Sequence, residues 1–467
     1  MSGQTRQTAR NGARLVPMAA CVLLAGCGGA PGSDDGRPAD LVLENARVVD
    51  PAARRIRAGH IVIGDGVIRG IADTPPRNAA ARLDVDGAWV IPGLVDMHTH
   101  SGANVAPPRV IEFAGTAEMS RRMLYMGVTA FLDLFSLEDS IFALRERRRG
   151  VPALAAELFA AGPCLTATGG HCTEYGIPTR VVDSPADARA EVAELATRRP
   201  DVVKLVYDHS GYLPTMSRET MAAVIAAARE LGPPTVVHVA TWSDVEESVA
   251  AGVSVVTHLP REGPIPSGLA RRIAEAGTWY MPTMVTPADA VVLARQPALL
   301  DDPALEAVTS PAIRDAYRDS TAFPPYLQGW LSAADSIVSG YYTSLRALHD
   351  AGVPLLLGTD AGNYGAFLGW SVHRELERYV EAGLSPWDAL EAATTAPGRF
   401  LRRPWGVEPG DEANLVVLDG SPIEDIRNTR RIRAVILRGE VVDRDSLLHE
   451  KGPGPTRIPE RGPASPP

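Results

Sequence analysis

Gly93-Leu94-Val95-Asp96-Met97-His98-Thr99-His100 ends a short apolar run on two histidines separated by one residue. In an extended strand, positions i and i+2 face the same side, so both imidazoles project together. Three other runs end in the same way: Val236-Val237-His238, Val256-Thr257-His258 and Gly358-Thr359-Asp360. Eight short apolar runs follow one another at about 94–100, 128–134, 154–161, 202–207, 235–239, 254–258, 278–283 and 354–360, with helical stretches between them. That texture is of β/α units, and eight parallel strands close a (β/α)8 TIM barrel, an α/β fold. Such barrels carry their sites at the C-terminal ends of the strands, where these histidines and the aspartate fall.

The flanks read differently. Residues 40–92 alternate short β-like runs (Leu41-Val42-Leu43, Ile61-Val62-Ile63, Val67-Ile68) with turn signals such as Gly64-Asp65-Gly66, and residues 410–445 repeat that pattern. Residues 40–92 and 401–450 are therefore expected to form one small composite β-sandwich domain beside a barrel of residues 93–400. Some seventy residues separate the seventh and eighth runs, and they hold Tyr317, Phe323, Tyr326, Trp330, Tyr341 and Tyr342. An insertion of that length is either a loop shaping the substrate pocket or a helical hairpin on the outside. The tail, residues 451–467, has six prolines and reads as disordered.

The chain has 467 residues, 45% hydrophobic and 22% charged, which is ordinary globular composition. Residues 1–26 read as a signal peptide: three arginines, an apolar stretch too short to span a bilayer, then Leu24-Ala25-Gly26 before Cys27. Without that leader the chain holds 43 basic against 56 acidic residues, which argues against nucleic acid as a partner. Residues 27–39, rich in Gly, Pro and Asp, read as a flexible tether. The Cys after Leu-Ala-Gly resembles a bacterial lipobox. That resemblance implies lipidation at Cys27, contact with membrane only through the anchor, and a place in the cell envelope, at the outer membrane facing the periplasm or the surface. Cys164 and Cys172 are the remaining mature cysteines, and an oxidising compartment would let them pair.

Of 46 basic residues only Lys204 and Lys451 are lysine, and Lys204 lies in the apolar run Val202-Val203-Lys204-Leu205-Val206-Tyr207. A buried cation is costly, so the plain reading is a lysine snorkelling from a strand end. Beside a metal site the same lysine would lose its proton more readily, and a neutral amine can take up carbon dioxide as a carbamate. His98, His100, His238, His258 and Asp360 supply the imidazoles and carboxylate that suit zinc and similar ions.

With these motifs, and with His373-Arg-Glu-Leu-Glu and Ala389-Leu-Glu-Ala-Ala-Thr394 further on, the sequence resembles the amidohydrolase superfamily over nearly all of its mature length. The resemblance implies a metal-dependent hydrolase with two divalent metal ions, most often zinc. One would be held by His98, His100 and Asp360 and the other by His238 and His258, with carboxylated Lys204 and a hydroxide bridging them. Asp360 would act as general base and then acid. Thr168-Gly169-Gly170-His171 is similar to an element of the imidazolonepropionase-like and Xaa-Pro dipeptidase-like branch, although Cys172-Thr173 replaces the glycine expected next. His171 is thereby expected to contact a substrate carbonyl. Tyr207, three residues past Lys204, reads either as a donor to a carbonyl or carboxylate or as a packed loop tyrosine. The implied reaction is cleavage of a C–N bond in a small molecule such as a dipeptide, an N-acyl amino acid or a cyclic amide. A lactonase or esterase, a mononuclear deaminase-like enzyme and a non-catalytic binding lipoprotein stand as alternatives. Relatives often form homo-oligomers, and no interface is legible here. His209, His349 and His373 read as structural.

Overall fold

The computed structural model describes residues 37–448 and 456–457. The leader, Cys27, most of the tether and most of the tail lie outside the described residues. Among the described residues no helix is long and apolar enough to cross a membrane.

Strands Ala39–Asp50, Arg55–Gly64, Val67–Ala72, Ala79–Asp84 and Trp89–Pro92 join Leu415–Leu418, Ile432–Leu437 and Glu440–Val441 in one eight-stranded sheet. The two ends of the chain meet at Trp89–Pro92, which pairs parallel with the first strand and antiparallel with Leu415–Leu418. The sheet curls over a core of its own, including Leu43, Ile61, Ile63, Val90, Leu415 and Ile436. One hairpin in it turns on Asp65 and Gly66, at φ of 57° and 74°. Both values are positive, as the two-residue turn that matches strand twist requires.

The barrel strands are β1 (Leu94–Thr99), β2 (Val128–Asp133), β3 (Glu157–Ala160), β4 (Val203–Val206), β5 (Thr235–His238), β6 (Val255–Thr257) and β7 (Trp279–Met281). All the ladders among them are parallel. The eighth run, residues 354–360, closes the ring by individual hydrogen bonds. Leu356 N–H donates to the Tyr280 carbonyl at 3.0 Å, Met97 N–H to Leu357 at 2.9 Å, and Asp360 N–H to His98 at 2.8 Å. Alternate side chains fill the interior, among them Val95, Leu132, Phe159, Val202, Val236, Val255, Met281 and Leu356.

The ring is interrupted between β3 and β4, where no ladder forms. After β3, Gly162 (φ 81°) and Pro163 turn the chain, and it is Leu165–Thr166 that pairs with β4. Asp201 bridges the gap. Its backbone N–H donates to the Ala160 carbonyl at 3.0 Å, and its carboxylate accepts from Ala160 N–H at 2.9 Å and from the fully buried Arg145 at 2.8 Å.

The long insertion is helical. Val285–Arg295, Pro303–Val308, Pro311–Arg318 and Pro325–Asp350 follow one another, and three of these begin on proline, whose missing N–H is no loss in a first turn. They build a second core with Leu293, Leu305, Ile313, Tyr317, Phe367 and Trp370 against Ala106 and Val110. In the tail, Thr456–Arg457 pairs with Val110–Ile111, so these two residues are an ordered exception to the disorder expected there.

Replacing Asp201 by Ala removes the carboxylate that accepts from Ala160 N–H, keeps the backbone bond to the Ala160 carbonyl, and leaves Arg145 buried beside fewer anions. Urea unfolding followed by circular dichroism should report a loss of about 2–4 kcal/mol.

Candidate active site

Each chemically competent side chain of the rim stands where a strand gives way to a loop. His98 lies on β1, with His100 just past its end. His238 ends β5, His258 follows β6 and Asp360 ends the eighth run. One ligand atom from each of His98, His100 and Asp360 lies within 4.8 Å of the others. Asp360 Oδ1 is 2.9 Å from His100 Nε2 and 3.3 Å from His98 Nε2. The rings of His98 and His258 are 5.0 Å apart, and those of His258 and His238 4.5 Å. Two of these residues occupy left-handed backbone, His258 at φ 76° and Asp360 at φ 58°. For residues with a Cβ such a conformation is uncommon and persists where the surroundings impose it.

Neighbours fix which ring nitrogen is available. His98 Nδ1 is 2.8 Å from Thr257 Oγ1, and His258 Nδ1 is 2.7 Å from Thr283 Oγ1. Each hydroxyl anchors one nitrogen and leaves Nε2 for a ligand, the usual arrangement around metal-binding histidines. Burial, and then the charges of Lys204 and the other histidines, hold His98 well below the ordinary histidine range; burial and then His238 do the same for His258. Burial followed by His171 brings His238 down to about 4. These rings are therefore neutral at pH 7, as ligation requires. His98 Nε2 and His100 Nδ1 are buried without any hydrogen-bond partner. The orphaned His98 Nε2, the His100 Nε2 beside the same Asp360 oxygen, neutral imidazoles and a carboxylate fit a divalent cation.

Lys204 is 3% exposed on β4, and burial pushes its ammonium down to about 7 against a weaker upward pull from Asp360. Its charge acts on His98, His238, His258 and Asp360, so it shares their space. Asp360 stays below the usual carboxylate range: burial is the largest influence and opposes this, but the His100 hydrogen bond and the charges of His100, Lys204 and His238 together outweigh it.

His171 is drawn to the same mouth, its ring 4.5 Å from that of His238. It rides a loop closed by a disulfide between Cys164 and Cys172, whose Cα atoms are 6.7 Å apart. Its Nδ1 lies 2.6 Å from Glu174 Oε1. At Gly170 a Cβ would stand 2.8 Å from the Pro214 carbonyl, so that turn of the loop requires glycine.

Tyr207 is not brought into the cluster as a donor; of its two readings it is the packed tyrosine that the structure shows. It packs with Val203 and Leu205 into the layer between strands and helices, and its hydroxyl donates to Glu247 on the helix Trp242–Ala250. The reason is strand parity: a position three beyond an inward Lys204 faces outward. His209 pairs with Asp244 at 2.6 Å, and His373 is held between Thr429 and the Met126 carbonyl, both at 3.0 Å.

Several contributors escaped the sequence reading. Asp208 Oδ2 is 3.4 Å from His238 Nε2, and this histidine keeps its carboxyl below the usual range although burial works against it. Asp96, raised to about 7 by burial, accepts from Thr359 Oγ1 at 2.6 Å and from Thr359 N–H at 3.0 Å, tying β1 to the eighth run. Asn363 donates to Asp360 Oδ1 at 2.9 Å. Asp96 stands two residues before His98 and Thr257 directly before His258, the only signals that could have singled them out.

A family model described as the amidohydrolase family matches residues 89–442. An uncharacterized protein of Mycobacterium tuberculosis is 25% identical over 382 residues, covering 80% of this chain and 90% of that protein. An adenine deaminase of Nitratidesulfovibrio vulgaris is 35% identical over 95 residues, 20% of this chain and 15% of the deaminase. Among solved structures, a Xaa-Pro dipeptidase with methionine bound in its active site superimposes with a TM-score of 0.69 at 21% identity, covering 86% of this chain and 99% of the dipeptidase.

The Lys204 amine gives the metal-free protein a pH signature. An unfolded chain keeps this ammonium to about 10.5 and the folded one only to about 7, so between those values the unfolded state binds more protons and stability rises with pH. Urea unfolding of chelator-stripped protein at several pH values should show a Lys204 contribution approaching 1.4 kcal/mol per pH unit in that window. In Lys204→Met this contribution should vanish.

Proposed function

The chain belongs to the amidohydrolase family and is a metal-dependent hydrolase, and from that premise we propose that it cleaves a C–N bond in a small molecule such as a dipeptide or N-acyl amino acid. The observation that carries the reading is the meeting of His98, His100 and Asp360 with a buried lysine of depressed pKa and two further histidines on one rim. His98, His100 and Asp360 would hold one divalent ion, and His238 and His258 a second. Zinc suits these donors, as do other divalent metals. Lys204 would join the two sets: its free amine adds to carbon dioxide, forming an N–C bond and releasing one proton, and the resulting carbamate is an anion where an ammonium would be repelled. When bound, such ions polarise a carbonyl and lower the pKa of water.

The remaining steps fall to the chain itself. Asp360, held ionised, accepts a proton from the attacking water and passes it to the amine as the C–N bond breaks. Asn363 steadies the carboxylate through Oδ1. Glu174, an ionised acceptor, takes the Nδ1–H of His171 and orients the ring, so the other ring nitrogen donates to the substrate carbonyl in the doubly protonated imidazolium form. The likeness to the Xaa-Pro dipeptidase supports the barrel, and the lysine on β4 supports a two-metal chemistry. A mononuclear deaminase-like reading draws on the short match to adenine deaminases and on the self-sufficiency of the His98, His100 and Asp360 group. The proposal extends to location: lipidation at Cys27 and residence in the envelope are supported by the leader and agree with the Cys164–Cys172 disulfide.

Elemental analysis of protein lacking residues 1–27 should find about two metals per chain, falling to one or fewer in Lys204→Ala. About one metal, unaffected by loss of Lys204, would favour the deaminase-like reading instead. On a panel of dipeptides and N-acyl amino acids, Asp360→Asn should lower kcat by about 10²–10⁴.

A further inference from the structure

The wall of the site between β2 and the disulfide loop is aromatic. From His100 the rings run to Phe135 at 6.3 Å, from Phe135 to Tyr175 at 6.3 Å, from Tyr175 to His171 at 5.7 Å and from His171 to His238 at 4.5 Å. Two rings in this series, Phe135 and Tyr175, are not imidazoles, and they stand between a proposed metal-binding histidine and the proposed carbonyl contact. Phe135 is 6% exposed and packs on the disulfide through Cys164 and Cys172. Tyr175 is 53% exposed. It therefore leaves much of a large side chain open to solvent beside His171.

The ring is also held in place. Tyr175 lies in a short turn of helix, Thr173–Tyr175, that begins immediately after Cys172 and ends at Gly176, where φ is 71°. Glu174, its neighbour, is tied to His171. A rigid aromatic with two side-chain torsions offers contact area at small entropic cost, and a loop locked by a disulfide keeps it from collapsing into the site.

We propose that Tyr175, backed by Phe135, is a specificity-determining residue that selects substrates carrying a flat aromatic ring beside the scissile bond. This rests on the C–N hydrolase reading above and adds the substrate class to it. Smaller aliphatic groups leave the Tyr175 face wet, so they gain less from binding there.

The test compares kcat/KM of the metal-loaded enzyme on matched pairs, with phenylalanine set against alanine on either side of the amide. The parent should favour the ring-bearing member by about tenfold or more. Tyr175→Ala should remove that preference through KM, with kcat on the alanine substrates and metal content within about twofold of the parent, whereas Tyr175→Phe should keep it. An unchanged ratio in Tyr175→Ala, or a parent that favours alanine, overturns the proposal. Calorimetric binding of free phenylalanine and alanine to the metal-loaded parent and to Tyr175→Ala gives a readout independent of turnover. No hydrolysis of any C–N substrate would sink the functional reading alone, while equal affinity of the parent for the two amino acids would sink the role of Tyr175.

Discussion

Asp360 and the unpartnered nitrogens of His98 and His100 form a knot of polar groups enclosed at the mouth of an apolar barrel. Buried polar atoms ordinarily find a partner, since each one left without costs about 1–3 kcal/mol. Here the ring nitrogens His98 Nε2 and His100 Nδ1 have none, and a lysine without a full counter-charge adds to the imbalance. Divalent cations would relieve the deficits at His98 Nε2 and Lys204, because imidazole and carboxylate would become ligands and the lysine would become useful as an anion. The same groups are a liability to an empty barrel and the centre of a loaded one.

Much of the surrounding structure serves to hold that knot open. Thr257 and Thr283 pin the outer nitrogens of His98 and His258, and Asp96 fastens β1 to Thr359 beside Asp360. His258 and Asp360 keep left-handed backbone, a strain that the closed ring of strands imposes at the points where each chain leaves the barrel. On the other side, the break between β3 and β4 frees the chain after β3 to form the disulfide loop. Asp201 closes the barrel wall below, so the loop above it can carry His171, Glu174 and Tyr175 without loosening the ring. The sheet built from both chain ends keeps its own core and stands apart from this division of labour.

Lys204 connects the fold to the chemistry. Strand parity directs it inward between Val203 and Leu205, which face the helices. A lysine there would be disfavoured in a purely structural barrel, whose interior layers are Val, Leu and Met. Its retention in a chain that otherwise uses arginine agrees with a role that needs an amine able to lose its proton, which a guanidinium does not.

Periodicity and spacing determined the coarse outline: eight apolar runs at β/α intervals, the β-rich ends, His98, His100, His238, His258 and Asp360 at or near strand ends, and Lys204 within the fourth run. These features are local, set by alternation along a strand and by where each run stops, and a linear sequence records them fully. Tertiary structure decided the rest, because it depends on distances between residues far apart in the chain. Asp208 and Asp96 acquire meaning only through His238 and Thr359, the helical character of the insertion through the second core it builds, and the pairing of Cys164 with Cys172 through the turn at Gly162 and Pro163. Tyr207 shows the boundary most plainly: its parity was already in the sequence, but only the layer packed outside β4 shows where its hydroxyl goes. Tyr175 lies on the other side of that boundary, since nothing around it in the chain marks it, and its place on the rim exists only once the loop is folded over Phe135.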